Sequence, residues 1–248
     1  PPIAYYYLGW CYSNKQSSRQ AQTWYKKGAE AAPSPFYPNR LEAIPALKDA
    51  IKHNPSDAKA PFYLSCIYYD KRQYKLAVNY WEQSRELDSS FPTVHRNLGI
   101  AYFNKHNDAQ KAIQSFETAF SLDTGDARVF MELDQLYKRT NKEPQKRLSV
   151  LEDHPELVDS RDDVYLERLA IYNFLGQHKK AYKQLMNRTF HPWEGGEGRV
   201  SGQYVYSLTE LAKENILQGQ FESAIEQLNE AQTYPPNLGE GKLFGTRE

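Results

Sequence analysis

Large and small side chains recur along the chain at a fixed spacing of about 34 residues. In the segment from Ala58 to Phe91, a large–small–large group is followed by a small–large–small group. These two groups are Leu64, Ser65 and Tyr68, then Ala77, Trp81 and Ser84. Small residues let two helix backbones approach closely, and large residues fill the spaces beside them. The pattern therefore predicts pairs of antiparallel α-helices.

The same pattern recurs in at least three further segments. The small positions are Gly9, Ala21 and Gly28 in the first, Gly99, Ala112 and Ala119 in another, and Ala212, Ala224 and Ala231 in the last. Two segments depart from it. Residues 39–57 read as a second helix without its first, and residues 127–159 carry Asp134 where a small residue is expected.

This pattern resembles the tetratricopeptide repeat, whose helix pairs stack into a right-handed superhelix. The resemblance implies an all-α solenoid that forms a single domain over residues 1–248. The implied repeats are about 2–35, a partial 39–57, 58–91, 92–126, a degenerate 127–159, 162–189 and 205–238, with a loop insertion at 190–204. Arrays of this kind bind partners on the concave face that their first helices line.

Charge and composition exclude several classes of function. Lys plus Arg and Asp plus Glu both number 31, so no net field favours nucleic acid or an anionic membrane. No apolar run reaches the length that spans a bilayer. Only two cysteines are present, which fits a reducing, cytoplasmic setting. We find no metal-ligand spacing, phosphate-binding loop or catalytic triad, and we expect no cofactor, no metal and no catalytic residue.

Aromatic side chains are abundant, with 19 Tyr, 11 Phe and 4 Trp. In the frame of the resembled family, several of them face the concave groove. The expected groove residues are Tyr6, Trp10, Phe62, Tyr69, Arg96, Asn97 and Phe103. Two interpretations stay open: the rings form an apolar groove, or they pack against one another. Arg96 and Asn97 alone match the carboxylate clamp of some such domains, and Arg96 fits a groove residue or an interhelical salt bridge better.

A loop with three glycines interrupts the pattern between the last two predicted repeats. The Gly-Glu-Gly of this loop recurs near the C-terminus, so we expect both loops at one edge. The expected edge-site residues are His191, Trp193, Glu194, Glu197, Arg199 and Glu240. Three interpretations stay open for the loop: a carbohydrate site, a structured plug around Trp193, or a docking surface for a neighbouring domain.

A closer resemblance rests on the strings Phe91–Gly99, Glu132–Tyr137, Phe190–Gly198 and Asn237–Lys242. They look like a group of large bacterial proteins that join an N-terminal mutarotase-like domain to a tetratricopeptide region. This implies that the chain is the repeat portion of a longer parent. We therefore expect a scaffold, not an enzyme, that docks a protein or peptide, with the parent's N-terminal domain as one such partner. The alternative is an accessory module for a carbohydrate site of the parent.

Overall fold

The computed structural model describes residues 1–33 and 37–241; Pro35, which ends the first predicted repeat, and Lys242 lie outside the described residues. Within these ranges the chain forms fourteen α-helices and one short 3-10 turn, and it forms no β-strand. The all-α class of stacked antiparallel helix pairs is confirmed. Two compact units are present, unit 1 (Pro1–Thr124) and unit 2 (Gly125–Glu248). The prediction of one continuous domain stays a prediction.

Unit 1 contains three helix hairpins and one single helix. The helices are α1 (Pro2–Asn14), α2 (Ser18–Glu30), α3 (Ala43–His53), α4 (Lys59–Asp70), α5 (Tyr74–Leu87), α6 (Pro92–His106) and α7 (Ala109–Leu122). The hairpins are α1–α2, α4–α5 and α6–α7, and short turns make their helices antiparallel. Helix α3 packs against both α1 and α4. The partial repeat predicted at 39–57 is therefore a single helix.

Glycine allows the helices of two hairpins in unit 1 to approach closely. Gly9 lies against the ring of Tyr25, and Gly28 lies against the ring of Tyr6. A Cβ atom added at Gly99 would lie 2.6 Å from Cδ2 of Phe116. The small positions read from the sequence are thus the points at which aromatic rings meet a bare backbone.

Unit 2 is also built from hairpins, with one short extra helix. Its helices are α8 (Ala127–Arg139), α9 (Pro144–Asp153), α10 (Pro155–Asp159), α11 (Asp162–Phe174), α12 (His178–Met186), α13 (Arg199–Leu217) and α14 (Phe221–Glu230), followed by a 3-10 turn (Pro236–Leu238). Helix α9 ends at Asp153, before Pro155. The repeat pattern does not predict helix α10.

Helix α13 corrects the predicted loop insertion at 190–204, because it begins at Arg199. Gly198 precedes it with a φ of 73°, a left-handed conformation that glycine adopts without strain. Glu240 then accepts a hydrogen bond from the backbone N–H of Ser201, in the first turn of α13. This carboxylate satisfies one of the N–H groups that a helix start leaves unpaired, so the helix can begin early.

Candidate ligand-binding surfaces

In unit 1, helices α4 and α6, each the first helix of its hairpin, border an apolar groove, which we call the unit 1 groove. Its volume is about 260 Å³. The lining residues are Tyr37, Cys66, Tyr69, Asp70, Trp81, Asn97 and Ile100. Helix α4 supplies three of them, α6 supplies two, and Trp81 reaches in from α5. Most of the lining is apolar, and Asp70 and Asn97 add two short polar side chains.

An aromatic cluster forms one wall of this groove. The ring of Tyr69 lies 5.3 Å from the ring of Trp81 and 5.1 Å from that of Tyr74. Trp81 is only 3% exposed, and its buried Nε1–H has the thiol of Cys66 as its neighbour. Burial raises the pKa of the neighbouring Cys66 thiol to about 12, so the thiol is neutral.

Two of the expected groove residues lie in the core of unit 1 instead. Tyr6 is fully buried, and its hydroxyl donates to Asp57 at 2.9 Å. Phe62 is 1% exposed, with its ring 4.7 Å from that of Phe91 and 5.8 Å from that of Tyr37. The expectation for Tyr6 and Phe62 is corrected, because neighbouring side chains cover both rings. For these two, the interpretation as packed aromatics fits the structure.

The other expected groove residues divide into two groups. Tyr69 and Asn97 line the unit 1 groove. Trp10, Arg96 and Phe103 are half-buried and do not line it. Arg96 donates a hydrogen bond to Oδ1 of Asn97 at 3.4 Å. The sequence pattern does not place Tyr37, Asp70 or Trp81 here, since it identifies Trp81 only as a large packing residue of the second helix.

The two Gly-Glu-Gly loops of unit 2 lie together, as their shared sequence suggested. The backbone N–H of Phe190 donates to the carbonyl oxygen of Asn237 at 2.8 Å. The side-chain amide of Asn237 in turn donates to the carbonyl oxygen of Arg188 at 3.1 Å. Glu240 accepts from both the backbone N–H and the hydroxyl of Ser201, at 2.9 and 2.7 Å. The carboxylate of Glu240 thus stabilises the first turn of helix α13.

Asp162 anchors the start of the first loop. Its carboxylate accepts from the backbone N–H of His191 at 2.9 Å and from Nε of Arg188 at 2.6 Å. Burial opposes ionisation of this carboxyl, but these donors outweigh it and hold the pKa of Asp162 below its usual value. The imidazole of His191 is itself exposed, with its Nδ1 3.3 Å from Asp162.

The remaining edge residues do not form an enclosed site. Trp193 is half-buried, and its ring packs against Gly196 of the same loop. Glu194 and Glu197 are both exposed. A carbohydrate platform needs a free ring face beside converging polar groups. The packing of Trp193 onto its own loop is the feature expected of a structured plug.

A second cavity lies in unit 2, which we call the unit 2 cavity; its volume is about 230 Å³. It is lined by Met131, Asp134, Gln135, Lys138, Arg139, Asp163, Val164, Glu167 and Arg199. Helices α8, α11 and α13 contribute these side chains. Arg199, which the sequence placed at the loop edge, therefore contributes to this polar cavity.

A buried ion network forms the floor of the unit 2 cavity. Arg147 donates twice to Asp134, at 3.0 and 2.8 Å, and once to Glu167 at 2.9 Å. Lys138 donates to Glu167 at 2.9 Å. Burial would raise the pKa of Glu167, but the hydrogen bonds from Lys138 and Arg147 hold it below its usual value. Asp134, the apparent defect in the repeat pattern, is thus one half of a two-point ion pair.

Among residues 1–33 and 37–241, no group of three or more His, Cys, Asp or Glu side chains is placed to hold a metal ion. In the same part of the chain, no helix is both long enough and apolar enough to span a bilayer.

Comparison with known families matches two segments of the chain. A tetratricopeptide repeat model matches residues 3–35, and another tetratricopeptide repeat model matches residues 64–127. The first segment covers the α1–α2 hairpin, and the second begins within α4 and ends at the first residue of α8. These segments carry tetratricopeptide repeats, in agreement with the resemblance read from the small positions.

A solved structure shows the same fold. YrrB, described as a TPR protein with an unusual peptide-binding site, superposes with a TM-score of 0.53 at 19% identity, covering 75% of this chain and 91% of that chain. The pilF protein of Pseudomonas aeruginosa gives a TM-score of 0.49 at 18% identity, covering 93% and 90%. MamA from Desulfovibrio magneticus RS-1 gives 0.47 at 15% identity, covering 71% and 93%. At these identities the likeness concerns the fold alone.

Proposed function

We propose that this chain, in which residues 3–35 and 64–127 are tetratricopeptide repeats, is a docking scaffold that binds an extended peptide segment in the unit 1 groove. Tetratricopeptide proteins are typically scaffolds for protein–protein interaction. The observation that carries the proposal is the apolar groove between the first helices α4 and α6. The peptide-binding site of YrrB, a protein of the same fold, is consistent with such a role.

The chemistry of the groove indicates what part of a peptide it accepts. Tyr69, Trp81 and Ile100 offer apolar surface, so burial of one apolar or aromatic side chain is favourable. The side-chain amide of Asn97 lines the groove and can pair with backbone groups of the same segment. An extended segment supplies both an apolar side chain and free backbone groups.

The loop around Trp193 is proposed as a separate docking edge. The paired loops of unit 2 present the half-buried Trp193 with the exposed His191 and Glu194 beside it. A mixed aromatic and polar edge of this kind suits a contact with another protein domain. The N-terminal domain of a longer parent protein is the partner we propose for this edge. Cross-linking from Glu194 would test it, and the absence of any cross-link to that domain would refute it.

Selection of peptides from a random phage-displayed library tests the groove. We expect the selected peptides to share an apolar or aromatic residue. Ile100→Lys places a charge in the groove and should weaken their binding about tenfold or more. Leu76→Lys is the matched control, because Leu76 is exposed at 41% on α5 and does not line the groove.

Two results would contradict this function. One is peptide binding that is equally strong in wild type and Ile100→Lys. The other is equal weakening by Leu76→Lys, which would indicate a general effect of added charge. Thermal unfolding followed by circular dichroism shows whether each variant is folded.

A further inference from the structure

The unit 2 cavity carries more positive than negative charge. Its lining contains three cationic side chains, Lys138, Arg139 and Arg199, and three carboxylates, Asp134, Asp163 and Glu167. Two of these carboxylates are already neutralised from outside the lining. Arg147 pairs with Asp134, and Arg161 pairs with Asp163, each through two hydrogen bonds.

Only Glu167 is left to balance the three lining cations. Lys138 lies 2.8 Å from Glu167, whereas Arg199 approaches it only to 3.5 Å. That distance is longer than the 2.7–2.9 Å or so of a strong charge-assisted hydrogen bond. Arg139 forms no ion pair with any residue that the structure describes. The cavity therefore holds a surplus of two positive charges, with donors of Arg139 and Arg199 still available.

We infer that the unit 2 cavity binds an acidic side chain of an extended peptide, held by Arg139 and Arg199 above the buried ion network. The side chain of Arg199 is 44% exposed and Arg139 is exposed, so both can turn toward a ligand. The floor is fixed, because Arg147 and Asp134 are 5% and 6% exposed and hydrogen-bonded to each other. Met131 and Val164 add apolar surface for the methylene groups of a glutamate.

This site extends the proposed scaffold but does not depend on the unit 1 groove. The groove takes an apolar side chain, and the cavity takes a carboxylate from chemically distinct residues in the other unit. A substitution in one should leave binding at the other unchanged. The two proposals can consequently fail separately.

Fluorescence anisotropy with an end-capped, glutamate-rich peptide in a Gly/Ser background tests the inference. We expect binding that weakens as salt is raised. The double variant Arg139→Gln/Arg199→Gln should bind about fivefold more weakly. Arg128→Gln is the control. Arg128 lies on α8, as Arg139 does, is exposed, and pairs with Glu132 without lining the cavity. It should change affinity by less than about twofold.

Competing ligands and variants give the outcomes that would overturn the inference. A peptide with Gln in place of every Glu should not bind, and equal binding of that peptide removes the role of the carboxylate. Two further competitors are glutarate and the Gln peptide with an uncapped C-terminus. If either of them competes as well as the acidic peptide does, the cavity does not select a peptide side chain.

Unchanged affinity in the double variant would also refute the inference. A loss of acidic-peptide binding in Ile100→Lys would assign that peptide to the unit 1 groove instead. Since both arginines are exposed, the double variant should unfold at the wild-type temperature.

Discussion

The α1–α2 and α6–α7 hairpins of unit 1 and the α8–α9 hairpin of unit 2 share one architecture, but their paired helices are held together by different means. In unit 1, the rings of Tyr25 and Phe116 pack directly against the backbone at Gly9 and Gly99. In unit 2, the corresponding position of the α8–α9 hairpin is Asp134, and Arg147 crosses from the second helix to pair with it. Close packing depends on shape alone, whereas an ion pair depends on both partners being present. A departure from a repeat pattern can therefore be a different solution to the same packing problem.

The largest effect should come from breaking the ion pair in unit 2. Arg147→Leu leaves Asp134 buried without its partner, and we expect unit 2 to lose about 3–5 kcal/mol of stability. Hydrogen exchange measured by mass spectrometry should show faster exchange in α8, α9 and α11 than in unit 1. The double variant Asp134→Leu/Arg147→Leu removes both charges and should recover much of the loss, because Glu167 keeps Lys138. No recovery would mean that the network acts through more than this pair.

A smaller effect is expected from filling the close contact in unit 1. Gly99→Leu places a side chain against Phe116 and the backbone of Ala112, whose carbonyl oxygen would lie 3.2 Å from the new Cβ atom. We expect the free energy of unfolding to fall by about 1–3 kcal/mol. Gly202→Ala is the matched control in unit 2, since no atom lies within 4 Å of a Cβ there. It should stabilise α13 by up to about 1 kcal/mol. Chemical denaturation measures both, and a neutral Gly99→Leu would contradict the packing described.

The smallest effect should be a difference in how the two units respond to pH. Asp162 in unit 2 has a lowered pKa, so its stabilisation is present above the unfolded value of about 4 and is lost as pH falls through the folded pKa. Burial raises the pKa of Asp57 in unit 1, so its contribution is full below about 4 and is lost as pH rises through the folded pKa. The two carboxyl groups act in opposite directions.

Urea unfolding at pH 3 and pH 5 or so can separate these contributions. Asp162→Asn should reduce the loss of stability between the higher and the lower pH. Asp57→Asn should reduce the opposing trend and make the acid loss steeper. Equal changes of the same sign in both variants would contradict the assigned pKa directions.

The fold could be predicted because its signals are local. A hairpin brings residues about 13 to 20 positions apart into contact at each turn of the array, so Gly9 and Gly99 could be identified by spacing alone. The burial of Tyr6 and Phe62 could not, because it depends on Asp57, Tyr37 and Phe91 from other elements. Repeat position alone says where a side chain points and not what covers it.

The candidate sites were less predictable for the same reason. Asp134 stands out as an exception to the pattern, but its partner Arg147 lies on the next helix and its third member Glu167 on another hairpin. The early start of α13 depends on Glu240, which lies 39 positions along the chain from Ser201. Because that start orients Arg199 toward the unit 2 cavity, the sequence pattern alone could not assign Arg199 to it.

The packing of Trp193 on Gly196 has a practical consequence. Of the four tryptophans, Trp10, Trp24 and Trp81 belong to unit 1, and Trp193 is the single one in unit 2. Replacing the first three with phenylalanine would leave a chain whose indole emission comes from the paired loops alone. The wavelength and quenching of that emission would then report on the packing of Trp193 against Gly196, without any attached dye.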